Sequence, residues 1–445
     1  MEVINNRITI KYFFILVIIS SFSFSIEKMN IDSVIEYALK NSTAMKIAIK
    51  DKDISNARSL ESQSTALPTL NGMVSGLRNY NIATQTVIID DNPISMKFGQ
   101  DNQISYGLTF KQTIFESRVF AAIRASKIYD EMTGFAYEMQ VLSIMEKTHI
   151  AFYNTILTME IRKVLSASLD RAKSNLKKMS LMFSFGKASE LDKIKSESIV
   201  LNLTSDLLMA DQKYNVALAS LKKNIGFPIS NDLVLIGDFM DEKIMDVNME
   251  ILLDKMMKFQ PGLKYAKKNV ELIKENVSSV RSELLPNLHL FGTYNFFNNF
   301  NDDNYLKDDY SSDQMIGVNL NIPIYNGFGS KARLRIAKAE YAKSEYRQLD
   351  IIANFRLELE NVVRQIESLS NKINADLKSV ELAKKGQEVA YSLFENGKIS
   401  QMEMENAELF FLESELVLLQ SKLQYQISLA ALHRLIGGKE FLHAN

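Results

Sequence analysis

The chain contains no cysteine and no tryptophan, and only six prolines and 17 glycines among its 445 residues. Without cysteine there is no disulfide, no thiolate metal site, no cysteine nucleophile and no lipidated N-terminal cysteine. Residues 94–227 and 324–445 are free of proline, and between Gly107 and Gly226 only Gly134 and Gly186 interrupt. Inside a helix proline costs about 3 kcal/mol and glycine about 1 kcal/mol. Stretches lacking both favour very long helices rather than a loop-rich fold. There is no surplus of charge, with 52 Lys and Arg against 53 Asp and Glu. Nucleic-acid binders need clustered cations to displace phosphate counterions, so that class has no electrostatic support. Hydrophobic residues at 46% and charged residues at 24% exclude both disorder and a bundle of membrane helices.

Arg7 and Lys11 precede an apolar stretch from Tyr12 to Phe24, and Ser23-Phe24-Ser25 has the small-x-small pattern of a signal-peptidase site. Residues 1–25 are expected to be a cleaved signal peptide, with the mature chain starting at Ile26. The apolar stretch is short against the roughly 20 residues that span a bilayer. No later segment has 18 uninterrupted apolar residues. Export without a helical anchor leads to the periplasm, the outer membrane or the exterior.

What is present is a repeat. Asn41 to Leu70, ending Ala66-Leu67-Pro68-Thr69-Leu70, aligns without gaps on Phe259 to Leu288, ending Leu284-Leu285-Pro286-Asn287-Leu288. Gly107-Leu108-Thr109-Phe110 answers Gly317-Val318-Asn319-Leu320, and Phe183-Ser184-Phe185-Gly186-Lys187 answers Phe394-Glu395-Asn396-Gly397-Lys398. Leu221, Ile225 and Gly226 answer Leu432, Ile436 and Gly437. The expected organisation is a first repeat over 26–228, an extended equatorial linker over 229–245, a second repeat over 246–440 and a tail over 441–445. Each repeat reads helix, strand, loop, strand, long helix, turn, helix, with the first helix predicted over 31–66 and the long one over 118–183.

Four segments alternate with period two, with apolar side chains on one face and mostly small polar ones on the other. In 103–114, Ile104, Tyr106, Leu108 and Phe110 oppose Ser105, Gly107, Thr109 and Lys111; in 316–324, Ile316, Val318 and Leu320 oppose Gly317, Asn319 and Asn321. Leu288, Leu290, Tyr294 and Phe296 oppose His289, Thr293 and Asn295, and 69–80 is a glycine-rich copy. Such strands suit a wall with lipid outside and water inside. A sheet in hydrocarbon must close, and four strands are too few where about eight are the minimum, so several chains must share one barrel. The spans 82–102 and 298–313 are expected to be exposed outer loops, and Pro323 is expected at the periplasmic rim of a strand.

The duplication, the Leu67-Pro68 and Leu285-Pro286 breaks before strands, and the segment Asn321-Ile322-Pro323-Ile324-Tyr325-Asn326-Gly327-Phe328-Gly329 resemble the TolC-like outer membrane efflux proteins of Gram-negative bacteria, over essentially the whole mature chain. The resemblance implies a mainly α fold with membrane β-structure: a long antiparallel coiled-coil tunnel in the periplasm and a 12-stranded barrel completed by a homotrimer, four strands from each chain. It implies an exit duct in the outer membrane lipid for efflux or type I secretion of small molecules or polypeptides. The implied partners are a periplasmic adaptor and an inner-membrane pump or ABC transporter. Adaptor docking falls on the tips, Gly186 with Lys187 and Gly397 with Lys398, although other family tips often follow the glycine with a small or hydrophobic residue. An acidic ring at the tunnel entrance falls on Asp192 and Glu403, with some of its carboxyl pKa values raised by like charge, and packing of the closed gate on Phe183 and Phe394. No catalytic residue, cofactor, metal or nucleic acid is expected: the four histidines, His149, His289, His433 and His443, are scattered, and no metalloprotease, hydrolase or phosphate-loop motif occurs. The competing reading, a secreted or periplasmic structural coiled coil, explains the helices but not the strands.

Overall fold

In a computed structural model, residues 27–89, 92–239, 248–301 and 310–438 are described. The expected signal peptide, the C-terminal tail, the second part of the linker and Asp302, Asp303, Asp308 and Asp309 of the second loop lie outside them. The chain runs β1 (Glu27–Met29), α1 (Ile31–Asn41), α2 (Thr43–Ser64), β2 (Thr69–Arg78), β3 (Thr84–Ile89), β4 (Asn92–Lys97), β5 (Asn102–Phe115), α3 (Ser117–Ser184) and α4 (Glu190–Ile225). It continues β6 (Leu233–Leu235), α5 (Met249–Phe259), α6 (Pro261–Arg281), β7 (Asn287–Phe300), β8 (Ser311–Asn321), α7 (Gly329–Glu395) and α8 (Gln401–Ile436). Helices of 68 and 67 residues, α3 and α7, match the proline-free runs and are each about 100 Å long.

Several expectations need correction. The helix read over 31–66 is two helices, because Ser42 is extended and its N–H caps the carbonyl of Ala38. The equivalent break in the second repeat is Gln260, followed by Pro261, which cannot donate back into α5. Both breaks admit another helix end. Gly226 closes α4 at φ 77°, and a Cβ there would lie 2.5 Å from the Asn41 carbonyl oxygen; Gly437 closes α8 at φ 69°, and its Cβ would lie 2.8 Å from that of Phe259. Within the linker, Leu233–Leu235 is a strand, β6, in parallel register with Glu27–Met29. Leu233 and Leu235 are buried, so the segment is part of a core rather than a free connection. Residues 82–102 contain a hairpin, β3 with β4, since Thr84–Ile89 carries the β-branched residues that suit a strand. Strand β8 ends at Asn321, which leaves Pro323 outside the ladder that it could not have joined.

The chain divides into two compact units, each drawing on both repeats: one comprises residues up to Lys50, 136–263 and from Ile352 onward, the other 51–135 and 264–351. Among the described residues the first unit is helical around three cores. One gathers Val34, Phe152, Ile156, Leu221, Ile225, Leu233 and Leu235; a second gathers Met256, Leu359, Ile366, Leu432, Leu435 and Ile436; a third gathers Leu165, Leu169, Leu203, Ala210 and Leu412. Each such side chain larger than alanine contributes about 1.5–3 kcal/mol when fully buried. The second unit holds an antiparallel sheet of order β2-β5-β7-β8. Its central pair, β5 with β7, joins the two repeats from Asn102↔Phe300 to Phe115↔Leu288, with a bulge at Ile114. Strands β2 and β8 are its edges, and neither pairs further among the described residues. No described helix is long and apolar enough to cross a membrane.

Candidate functional site

The hairpin between α3 and α4 and the one between α7 and α8 are built by the same local chemistry. After each long helix a glycine turns left-handed, Gly186 at φ 69° and Gly397 at φ 67°. The glycine N–H then donates to the carbonyl of Phe183 or Phe394, both at 2.9 Å, and the following lysine N–H to Met182 or Leu393 at 2.8 and 2.9 Å. This is a Schellman closure, which satisfies the last helical carbonyls. Two residues later a serine starts the returning helix. The N–H of Asp192 donates to Ser189 Oγ at 3.1 Å, and that of Glu403 to Ser400 Oγ at 3.3 Å. Ser189 and Ser400 donate their own N–H groups back to the Asp192 and Glu403 carboxylates, at 3.2 and 2.8 Å.

Asp192 and Glu403 therefore close two capping boxes, a signal present in the sequence as Ser-x-x-Asp and Ser-x-x-Glu but not used in reading it. The hydroxyl of Ser189, and then its N–H, hold the Asp192 carboxyl below the usual range. The Ser400 N–H, then its hydroxyl, do the same for Glu403. In one chain the shift is thus opposite to that expected from like-charge crowding. Lys187 and Lys398 are exposed at the turns. Phe183 is 39% exposed, with the Lys193 ammonium 5.6 Å from its ring centre, and Phe394 is partly buried.

Above the tips, one carboxylate ties the two hairpins together. Glu408 on α8 accepts from Arg171 Nε at 2.7 Å and Ser168 Oγ at 3.4 Å on α3, and from Gln387 Nε2 and the Tyr391 hydroxyl, at 3.2 Å, on α7. Asn175 of α3 donates to the Tyr391 hydroxyl at 2.8 Å. Burial, and then the Glu408 charge, push that hydroxyl up to about 12, so it stays a donor. Gln401 of α8 reaches across to Ser196 Oγ and the Asp192 carbonyl of α4, at 2.6 and 3.2 Å. Nothing in the sequence spacing marks Glu408, because its partners come from two other helices, α3 and α7.

In the sheet, register sorts the side chains by face. Leu70, Phe110, Gly292 and Ile316 stand in one row, and Leu290 with Val318 in another on the same face. Asn71, Thr109, Thr293 and Met315 form a row on the opposite face, as do Thr113, His289 and Asn319. The apolar face is bare: Leu70 is 67% exposed, Val74 82%, Ile316 79% and Val318 63%. The histidines read as scattered do not all stay apart, since His149 of α3 and His433 of α8 line one cavity of about 20 Å³ with Glu146 and Arg434. Among the described residues no group of three or more His, Asp or Glu side chains is placed to hold a metal.

The paired hairpins and the half-bare sheet match known proteins. A family model described as outer membrane efflux protein matches residues 252–438. Over that stretch the chain is similar to the TolC-like outer membrane efflux proteins. It is 21% identical over 280 residues to the outer membrane protein TolC of Vibrio cholerae, a match that spans 62% of this chain and 62% of the TolC chain. It is 22% identical over 381 residues to the pyoverdine export outer membrane protein OpmQ of Pseudomonas aeruginosa, spanning 82% of this chain and 76% of OpmQ. The TolC-like fold is also that of the CmeC outer membrane channel of Campylobacter jejuni, with a TM-score of 0.76, 18% identity, and 92% and 85% of the two chains covered.

Proposed function

We propose that this TolC-like protein is the outer membrane exit duct of a tripartite efflux or type I secretion system, carrying small molecules or polypeptides from the periplasm to the exterior. The observation that supports this reading best is the sheet, with a bare apolar face, a mostly polar opposite face and, among the described residues, two unpaired edges. In hydrocarbon each unpaired backbone group costs several kcal/mol, so β2 of one copy pairs with β8 of the next. Three copies supply 12 strands, enough to close where four are not. The protein is a channel component and carries out no catalysis; its partners are a periplasmic adaptor, docked at the tips around Gly186, Lys187, Gly397 and Lys398, and an inner-membrane pump or ABC transporter. The two repeats, 26–228 and 246–440, would each give two strands and one tip.

Because the chain has no cysteine, single cysteines test the barrel directly. Thr109→Cys and Asn319→Cys should react with a small water-soluble thiol reagent, whereas Leu108→Cys and Val318→Cys should be shielded by lipid in membranes. Reversed accessibility would refute the barrel.

Asp192 and Glu403, brought around one axis by three copies, would form an acidic ring, with Phe183 and Phe394 packed behind it. Alanine would remove the N3 half of each capping box, the carboxylate that accepts the serine N–H, along with the charges, so the informative variant is Asp192→Asn with Glu403→Gln. This pair should lower cation selectivity and relieve divalent-cation block in planar bilayers. Unchanged selectivity and block would take both residues out of the gate.

A further inference from the structure

Between α3, α4 and α8 of the helical unit lies a cavity of about 380 Å³, within the size range of small-molecule sites. Its floor includes Leu203 and Leu412, which are 9% and 8% exposed and belong to a core cluster with Leu165, Leu169 and Ala210. Asp206 and Glu405 line it as well, and the Glu408 node forms part of its wall. Every ionisable side chain lining it is acidic. A second cavity of about 350 Å³ shares Asp206, Leu409 and Leu412 with it, so the space continues along the seam between α4 and α8.

The charges here are unevenly met. The Glu408 carboxylate is fully engaged by Arg171, Gln387 and Tyr391. Glu405 has a neutral donor, Gln401 Nε2, at 2.5 Å. Asp206 has no hydrogen bond or ion pair among the described residues. Asp206 is exposed, whereas Glu405 is half-buried and has Lys195 as the nearby cation acting on it but no ion pair with it, so an incoming positive charge would add to a weak compensation. An inorganic cation would find no group of three ligands and would leave the leucine floor unused. An anion would be repelled.

We infer that this cavity binds an amphiphilic organic monocation, with its hydrophobic body on Leu203 and Leu412 and its charged end between Asp206 and Glu405. The site is separate from the expected acidic ring, and binding at it does not require the export reading to hold. Burial, the largest influence on the Glu405 carboxyl, raises its pKa, and a bound cation would draw it back toward ionisation.

Equilibrium dialysis of the purified full-length protein in non-ionic detergent tests this with tetraphenylphosphonium, using tetraphenylborate as an anion of the same shape. The cation should bind saturably and the anion should not. Asp206→Asn with Glu405→Gln should weaken cation binding by up to about fivefold, as expected for losing one partly exposed ion pair. Leu409 is 53% exposed, so Leu409→Trp can fill the cavity without disturbing the core, and it should remove the saturable component. Absence of saturable cation binding, equal saturable binding of the anion, or binding unchanged in either variant would overturn the assignment.

Discussion

Gly437→Val should abolish the assembled protein, and Gly226→Val should do the same. Both glycines are left-handed, a conformation that costs an L-residue roughly 1–2 kcal/mol. That cost is the smaller part. At Gly437 the new Cβ would meet the Phe259 carbonyl carbon and oxygen at 2.8 Å, and at Gly226 the Asn41 carbonyl oxygen at 2.5 Å, both of them main-chain atoms at a helix end. Relieving either clash means withdrawing α8 from α5, or α4 from α1, and with it Leu432, Leu435 and Ile436, or Leu221 and Ile225. Overpacking of this kind typically costs a further 1–3 kcal/mol or more. Gly186→Ala is the internal control: it has nearly the same φ and nothing within 4 Å, so it should cost only about 1 kcal/mol. Heat-modifiable mobility on gels and thermal melting separate these outcomes. A Gly437→Val protein that assembles and melts like Gly186→Ala would show that the close approach is dispensable.

Acidification should destabilise the helical unit through His149. Its imidazole packs against Tyr153, with ring centres 4.7 Å apart, and shares its small cavity with His433 and Arg434 of α8 and Glu146 of its own helix. Nδ1 has no hydrogen-bond partner. Burial, and then the nearby His433, hold the pKa down to about 3, while an unfolded chain would protonate this side chain near 6.5. The unfolded state therefore takes up the proton first. Stability from this group is complete above pH 6.5 and is lost as pH falls from there toward about 3, by roughly 1.4 kcal/mol per pH unit within that window. His433 is also held below its usual value by burial, which adds to the loss. His149→Phe should flatten the dependence of melting temperature on pH between 6.5 and 4.5 relative to the parent. Parallel pH profiles for the two proteins would show that this imidazole is not the cause.

The long helices and four sheet strands were legible because their signals are local: absence of proline, period-two alternation, and glycines that recur between the repeats. Pairing was less so. That β5 would sit beside β7 follows from no spacing, and β6 was missed as a strand because its partner, Glu27–Met29, is only three residues long and distant in sequence. The helix break at Ser42 was hidden because serine is not a breaker; the docked glycine explains it. At the tips, the serine and acid that cap each returning helix are a local signal, Ser-x-x-Asp and Ser-x-x-Glu, legible in the sequence. Glu408 and the His149–His433 pair had no local signal, since their neighbours are assembled only when α3, α7 and α8 pack.

The β5–β7 ladder also sets the order of events during biogenesis. Residues 116–286 must emerge between one strand of that pair and the other. Until then the four-stranded sheet has only its β2–β5 ribbon, and a lone two-stranded ribbon is marginal in water. Pairings so far apart in sequence close slowly, because loop entropy is lost before the contact forms. The sheet therefore cannot grow strand by strand in chain order, and β5 needs protection from stray pairing until β7 arrives. For the same reason a fragment ending at residue 228 would carry only two strands of the four-stranded sheet, β2 and β5, with both edges of that ribbon bare.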